Sequence, residues 1–141
     1  MTQPYSIPTR LSPDLARVHS YWKSLLRGAA NIPFWDDVNL SDLPDLADRL
    51  LLIDAFERLE RFRFNHLGQA LRAEVLAGKF IDEMEPMWPF EFLRSQCSAT
   101  IEAAAPTYYR QEGARTYERL LLPLWGEGRI GMLLGAVDLS D

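Results

Sequence analysis

The sequence predicts an α+β domain: a five-stranded antiparallel sheet with helices on one face and an added N-terminal helix. Three observations carry this. A helical seam opens the chain, a strand pair follows it, and three strands close it after a group of short helical segments. Runs of strands with helices grouped between them favour an antiparallel sheet covered by helices, since each element buries its apolar face on another.

Taken in order, residues 1–11, with Pro4 and Pro8, read as an extended arm, and residues 12–141 as one domain. Ser12 offers an N-cap, Pro13 suits the first helical position, and Asp14 complements the first turn. Leu11, Leu15, Val18, Trp22, Leu25 and Ala29 then recur at alternating steps of 4 and 3. That is the period of a helix packed along a partner, so a helix is expected from Pro13 to Ala29. Asn31 to Ser41 reads as a loop around Pro33, and Asp42 to Leu50 holds a helical turn. Leu51–Phe56 and Arg61–Leu67 read as a hairpin across Glu57–Glu60. Simple alternation in the second strand sets Phe62, Phe64 and His66 on one side.

Gly68 ends that strand, and Gln69 to Leu76 reads as a short helix closed by Gly78. Phe80 to Met84 forms a turn before the Pro86–Met87–Trp88–Pro89 break. Phe90 to Ala105 is the second substantial helix, striped by Phe90, Leu93, Cys97 and Ile101 and ended by Pro106. Thr107–Gln111, Thr116–Trp125 and Ile130–Leu139 read as strands, the last two joined by a hairpin at Gly126–Glu127–Gly128. Gly131 and Gly135, four residues apart, are expected on one face, where another backbone approaches.

Composition bounds the function. A chain of 141 residues, 48% hydrophobic, suits one domain with a real core. A net charge of −5 argues against nucleic acid and anionic membrane surfaces, both of which would repel it. Cys97 is the single cysteine, which excludes an intramolecular disulfide and a Cys-rich metal site. Met1 to Arg10 lacks the basic and apolar stretches of a signal peptide, and Ile130–Val137 is too short to span a membrane. A cytoplasmic protein is expected.

Few residues invite chemistry. Cys97 follows the apolar stripe of its helix and reads as a small buried hydrophobe. His66 beside Phe62 and Phe64 is a candidate pocket ligand or a hydrogen-bonded core residue. His19 stands off the seam, and two isolated histidines do not make a metal site. Asp36–Asp37 and Asp82–Glu83–Glu85 lie in loop-like segments and read as solvated charge. Gly126-x-Gly128 lacks the Lys-Ser/Thr ending and following helix of a phosphate loop. Trp88, Trp125 and Tyr108–Tyr109 offer rings for an aromatic ligand, yet read first as ordinary core material.

The order of elements resembles that of PAS domains, and its details resemble the bacterial subfamily that begins with an extra helix bearing an aromatic pair. Here the pair is Tyr21–Trp22, followed by Leu25, Leu26, Arg27 and Pro33. Leu51–Leu52–Ile53–Asp54, Phe62–Arg63–Phe64 with Gly68 and Leu71, Leu120–Leu121–Leu122–Pro123–Leu124, and Leu134–Gly135–Ala136 continue the likeness across residues 12 to 139. The chain departs from it at Asn65, where the subfamily often carries Arg, and at Glu74 to Lys79, a stretch usually longer and richer in glycine.

The resemblance implies a bacterial, non-enzymatic sensory module that binds a small ligand or a partner protein. The pocket candidates are Phe64, His66, Leu71, Trp88, Leu93, Cys97, Tyr109 and Trp125. It implies no cofactor. The Asn-Cys-Arg-Phe-Leu-Gln segment of flavin-binding relatives is absent, and residues 90–105 lack the His of haem-binding ones. A homodimer is expected, with Leu15, Val18, Trp22 and Leu25 shared between the chain's own sheet and its mate. No output domain is expected, so the signal is expected to leave through protein contacts. The rival is a cone-shaped, ketosteroid-isomerase-like enzyme, for which His66 with Tyr108 or Tyr109 is the only suitable set.

Overall fold

The computed structural model describes residues 5–56, 61–71, 76–84 and 87–139. Helix α1 spans Pro13–Ser24, and the Ser12 side chain accepts from the Leu15 N–H at 3.4 Å as its cap. It stops five residues before the expected Ala29. Leu25 and Leu26 donate instead to Trp22 and Lys23, three residues back, which tightens the last turn. Gly28, at a φ of +54°, then leaves helical space altogether.

Strands β1 (Leu50–Phe56) and β2 (Arg61–Leu67) pair antiparallel, with the expected tip at Glu57–Glu60 outside the described residues. Of the expected Gln69–Leu76 helix, Gln69–Leu71 is a 3₁₀ turn, and residues 72–75 lie outside the described set. Helix α2 is Leu93–Ala103, shorter than the expected Phe90–Ala105. Phe92, at a φ of +58°, and Ala104, at +52°, break it at both ends; left-handed backbone costs a residue with a Cβ about 1–2 kcal/mol. Strands β3 (Thr107–Gln111), β4 (Tyr117–Gly126) and β5 (Arg129–Leu139) follow. Glu127 and Gly128 both have positive φ, as a two-residue hairpin turn between right-twisted strands requires.

The sheet runs β2-β1-β5-β4-β3, antiparallel throughout. Pro123 is tolerated inside β4 because β3 has already ended opposite Leu121, so no ladder donor is needed there. Both edges are partly covered. The Tyr5 carbonyl accepts from the Tyr108 N–H on β3, and Gly78 and Lys79 bond Phe64 on β2. These bonds occupy part of each edge, which reduces the template for strand addition.

Helices cover both faces of the sheet, not one. Leu15, Val18 and Trp22 of α1 pack on Leu120, Leu122, Leu124, Leu134 and Ala136. Leu93 and Cys97 of α2 pack on Leu51, Ile53, Phe64, Leu121 and Leu133 on the opposite face. The reason is visible in the central strands: Leu120–Leu124 and Leu133–Leu134 are continuous apolar runs, and both sides of such strands must be shielded. Burial of each Leu or Val side chain contributes about 1.5–3 kcal/mol.

Two bulges correct the sequence reading. In β2, Leu52 pairs with His66 but Ile53 pairs with Phe64, so Asn65 is the extra residue. His66 therefore crosses to the α1 face and is exposed, away from Phe62 and Phe64. In β5, Leu124 pairs with Met132 and Trp125 with Ile130, leaving Gly131 extra. Gly131 and Gly135 thus serve different faces, and a side chain is the nearest group to each, with the Gly126 carbonyl also close to Gly131. An added Cβ would lie 2.7 Å from the Trp35 ring at Gly131 and 2.6 Å from the Leu51 side chain at Gly135.

Candidate functional site

The expected dimer seam is occupied within the chain. Leu15, Val18 and Trp22 are buried on the sheet of their own chain, and the Trp22 indole donates to the Pro123 carbonyl at 2.8 Å. Leu25, the residue after α1, is half-buried. Three buried side chains have no face left for a second copy, because the apolar central strands claim them first. His19 stacks on Trp22, and burial lowers its pKa.

On the α2 face, most of the pocket candidates fill space. Phe64 meets Phe90 with ring centroids 5.2 Å apart, and Leu71, Leu93 and Cys97 are buried beside them. Burial pushes the Cys97 thiol up to about 12, which makes it an inert core residue. Trp88 sits edge-on to Tyr117, with the Arg115 guanidinium 3.6 Å over its ring and its buried indole N–H without a partner among the described residues. Tyr109 is half-buried between Tyr5, Phe92 and Tyr117.

Two clefts open along α2. One of about 600 Å³ lies between Ser98, Ile101 and Glu102 of the helix and Phe56, Phe62, Trp125 and Ile130 of the sheet. Trp125 is the one pocket candidate that lines it. The second, about 680 Å³, runs from Ile81 and Met84 past Phe90, Glu91 and Phe92 to Leu93, Arg94 and Ser98. Leu93 is its pocket candidate. Ser98 borders both, so one side of α2 is a nearly continuous trough.

The rival catalytic set does not assemble. His66 is on β2 and Tyr108–Tyr109 on β3, the two edges of the sheet, four strand spacings or about 19 Å apart. The acidic clusters are tied locally. Asp37 pairs with Arg27 at 2.6 Å, which lowers its pKa, and Asp82 pairs with Arg61 at 3.2 Å. Glu83 accepts from the Phe80 N–H, while Glu85 lies outside the described residues. Among the described residues, no group of three His, Cys, Asp or Glu could hold a metal ion.

Sequence reasoning missed the most unusual group. Arg119, in β4 on the α2 face, is completely buried. Its Nε donates to Gln96 Oε1 at 2.7 Å, Nη1 to the Pro89 carbonyl at 2.9 Å and Nη2 to the Glu91 carbonyl at 2.8 Å. Its cation lies 4.9 Å from the Tyr109 ring centre. Gln96 in turn donates to Thr107 Oγ1 and the Arg119 carbonyl, and Thr100 closes the network on Thr107 and Gln96. No carboxylate forms an ion pair with Arg119 among the described residues. Glu91 turns its carboxylate to the Tyr117 hydroxyl at 2.6 Å. Moving an ion into a protein interior costs several kcal/mol, and neutral acceptors offset only part of it. Desolvation accordingly lowers the Arg119 pKa and raises that of Tyr117. The signal lay in the parity of Tyr117, Arg119 and Leu121, and in Gln96 and Thr100 on the helical stripe of Leu93 and Cys97.

These features define an α+β domain with an open antiparallel sheet between two helices, a trough along α2 and a buried arginine beside it. No protein-family model, curated protein or solved structure matches the chain. Among the described residues, no helix is long and apolar enough to cross a membrane.

Proposed function

We propose that the chain is a PAS-type sensory module, cytoplasmic and bacterial, that binds a small ligand or partner protein and performs no catalysis. The observation that carries this reading is the strand order β2-β1-β5-β4-β3 with helical segments between β2 and β3 laid on one face. The trough along α2 supports it, since apolar side chains such as Phe56, Phe62, Phe90 and Leu93 share its lining with charged ones such as Asp82, Glu91 and Arg94, groups that could orient a small molecule. A ligand in that trough would favour one packing of α2 on the sheet, and the shifted population would be read by a partner. Its homodimer would use surface other than the α1 seam.

Native mass spectrometry of protein purified from its own host tests the reading. The expected spectrum contains a dimer and a small molecule released on denaturation. A bare monomer in every preparation overturns it, and so does turnover of a substrate by the purified chain.

A further inference from the structure

The segment Met87–Phe92 is a strap laid over the α2 face, tied to β4 by Arg119 through the Pro89 and Glu91 carbonyls. We propose that Arg119 is a concealed receptor for a small anion, a carboxylate or phosphate group, which enters from the adjoining cleft and replaces those carbonyls. The inference rests on the sensor reading for its biological use only; its chemistry stands on the geometry of Arg119.

Three features of the closed strap point this way. The guanidinium carries a full charge in the interior and meets only neutral oxygens, so a charged acceptor would hold it more strongly. The buried Trp88 indole N–H has no acceptor among the described residues, and displacement of the strap would give it one. Phe92 holds a left-handed backbone conformation while leaving 61% of its surface exposed, so the closed strap is held against local preference. The route is short. Glu91, whose carbonyl Arg119 binds, itself lines the cleft of about 680 Å³.

Charge at the entrance is mixed. Arg94 lines the cleft, is exposed and has no ion pair among the described residues. Asp82 lines it too, but is paired with Arg61. The Glu91 carboxylate is the group that opposes an incoming anion, and it moves with the strap because its own carbonyl is part of the latch. Fork-shaped, bidentate binding of a planar carboxylate or a phosphate suits guanidinium geometry in a way three separate oxygens do not.

The test is titration calorimetry of the full chain with sodium acetate, sodium benzoate and inorganic phosphate, against chloride at matched ionic strength. Amide hydrogen exchange is measured alongside. Saturable one-site binding of acetate or benzoate, or of phosphate, identifies which anion class is taken, with exchange rising across residues 87–93. Arg119→Gln should abolish binding, and Glu91→Gln, which keeps the backbone latch, should tighten it severalfold. Should Arg119→Gln fail to fold, the Glu91→Gln affinity and the exchange map decide alone. No saturable binding of any of the three overturns the proposal, as does binding that leaves 87–93 unchanged or is not tightened in Glu91→Gln. That failure leaves the sensor reading to its own mass measurement.

Discussion

The two faces of the sheet are closed by helices of similar length, twelve residues in α1 and eleven in α2, but by different physics. Under α1 the buried contacts are largely apolar, and the buried polar tie is the Trp22–Pro123 hydrogen bond, with Asp14, Arg17 and Tyr21 paired at the rim. Under α2 lie Arg119, Gln96, Thr100 and Thr107, bonded to one another and to the strap, with a trough alongside. Dry packing tolerates rearrangement among side chains of similar volume, whereas a buried polar network is satisfied in few arrangements. The α1 face is therefore suited to hold the fold, and the α2 face to register a change.

The strongest way to break the contrast is to remove the anchor of the dry face. Trp22→Ala should lower stability by about 3–5 kcal/mol, since a buried ring and its hydrogen bond are both lost. Urea denaturation measures it. A loss below about 1 kcal/mol would mean that α1 does not secure the sheet.

The α2 face should show itself through alkaline pH. Burial raises the Cys97 pKa from 9.0 to about 12, so the native state holds a proton that the unfolded chain releases. The sign follows. This contribution is complete below pH 9 and is lost as pH rises through the window toward 12, by up to about 1.4 kcal/mol per pH unit. Tyr117 and Tyr109 shift in the same direction and add to the slope. Denaturation midpoints between pH 8 and 11 should fall, and Cys97→Ala should make the fall shallower. An unchanged slope in that variant would show that Cys97 ionises as freely folded as unfolded.

Within the polar network the expected effect is smaller. Thr107→Val keeps the shape but removes the hydroxyl shared by Gln96 and Thr100, each of which retains a second partner. The loss should be about 1 kcal/mol by denaturant titration. A value near zero would mean that the network is slack enough to replace the bond.

Much of this was legible in the residues. The seam of Leu15, Val18 and Trp22, a hairpin within Gly126–Glu127–Gly128 and all five strands follow from periodicity and turn chemistry, although Gly126 belongs to β4 and the turn is two residues long. What escaped has two physical causes. A bulge adds one residue without changing composition, and Asn65 and Gly131 look like ordinary strand members until pairing is known. Arg119 was invisible for a different reason. Charged residues are so rarely buried alone that its parity with Tyr117 and Leu121 counted for nothing beside its charge.

The smallest expected effect tests the bulge itself. Without it, His66 would share the Phe62–Phe64 face, and truncating it would cut a cavity in the core or remove a pocket ligand. With Asn65 extra, His66 lies opposite Leu52 on the other face and is exposed. No hydrogen bond or ring contact holds its imidazole among the described residues. His66→Ala should thus change stability by no more than about 0.5 kcal/mol, the range of ordinary surface substitutions. Deleting Asn65 sharpens the point. The deletion removes the extra residue and leaves a regular strand, with His66 still opposite Leu52 and Leu67 still opposite Leu51. The deletion should therefore be tolerated far better than one that reverses the faces of His66 and Leu67, and a core-sized loss on deletion would show that Asn65 is a paired member of β2. A core-sized loss from His66→Ala alone would show that β2 runs through without the extra residue.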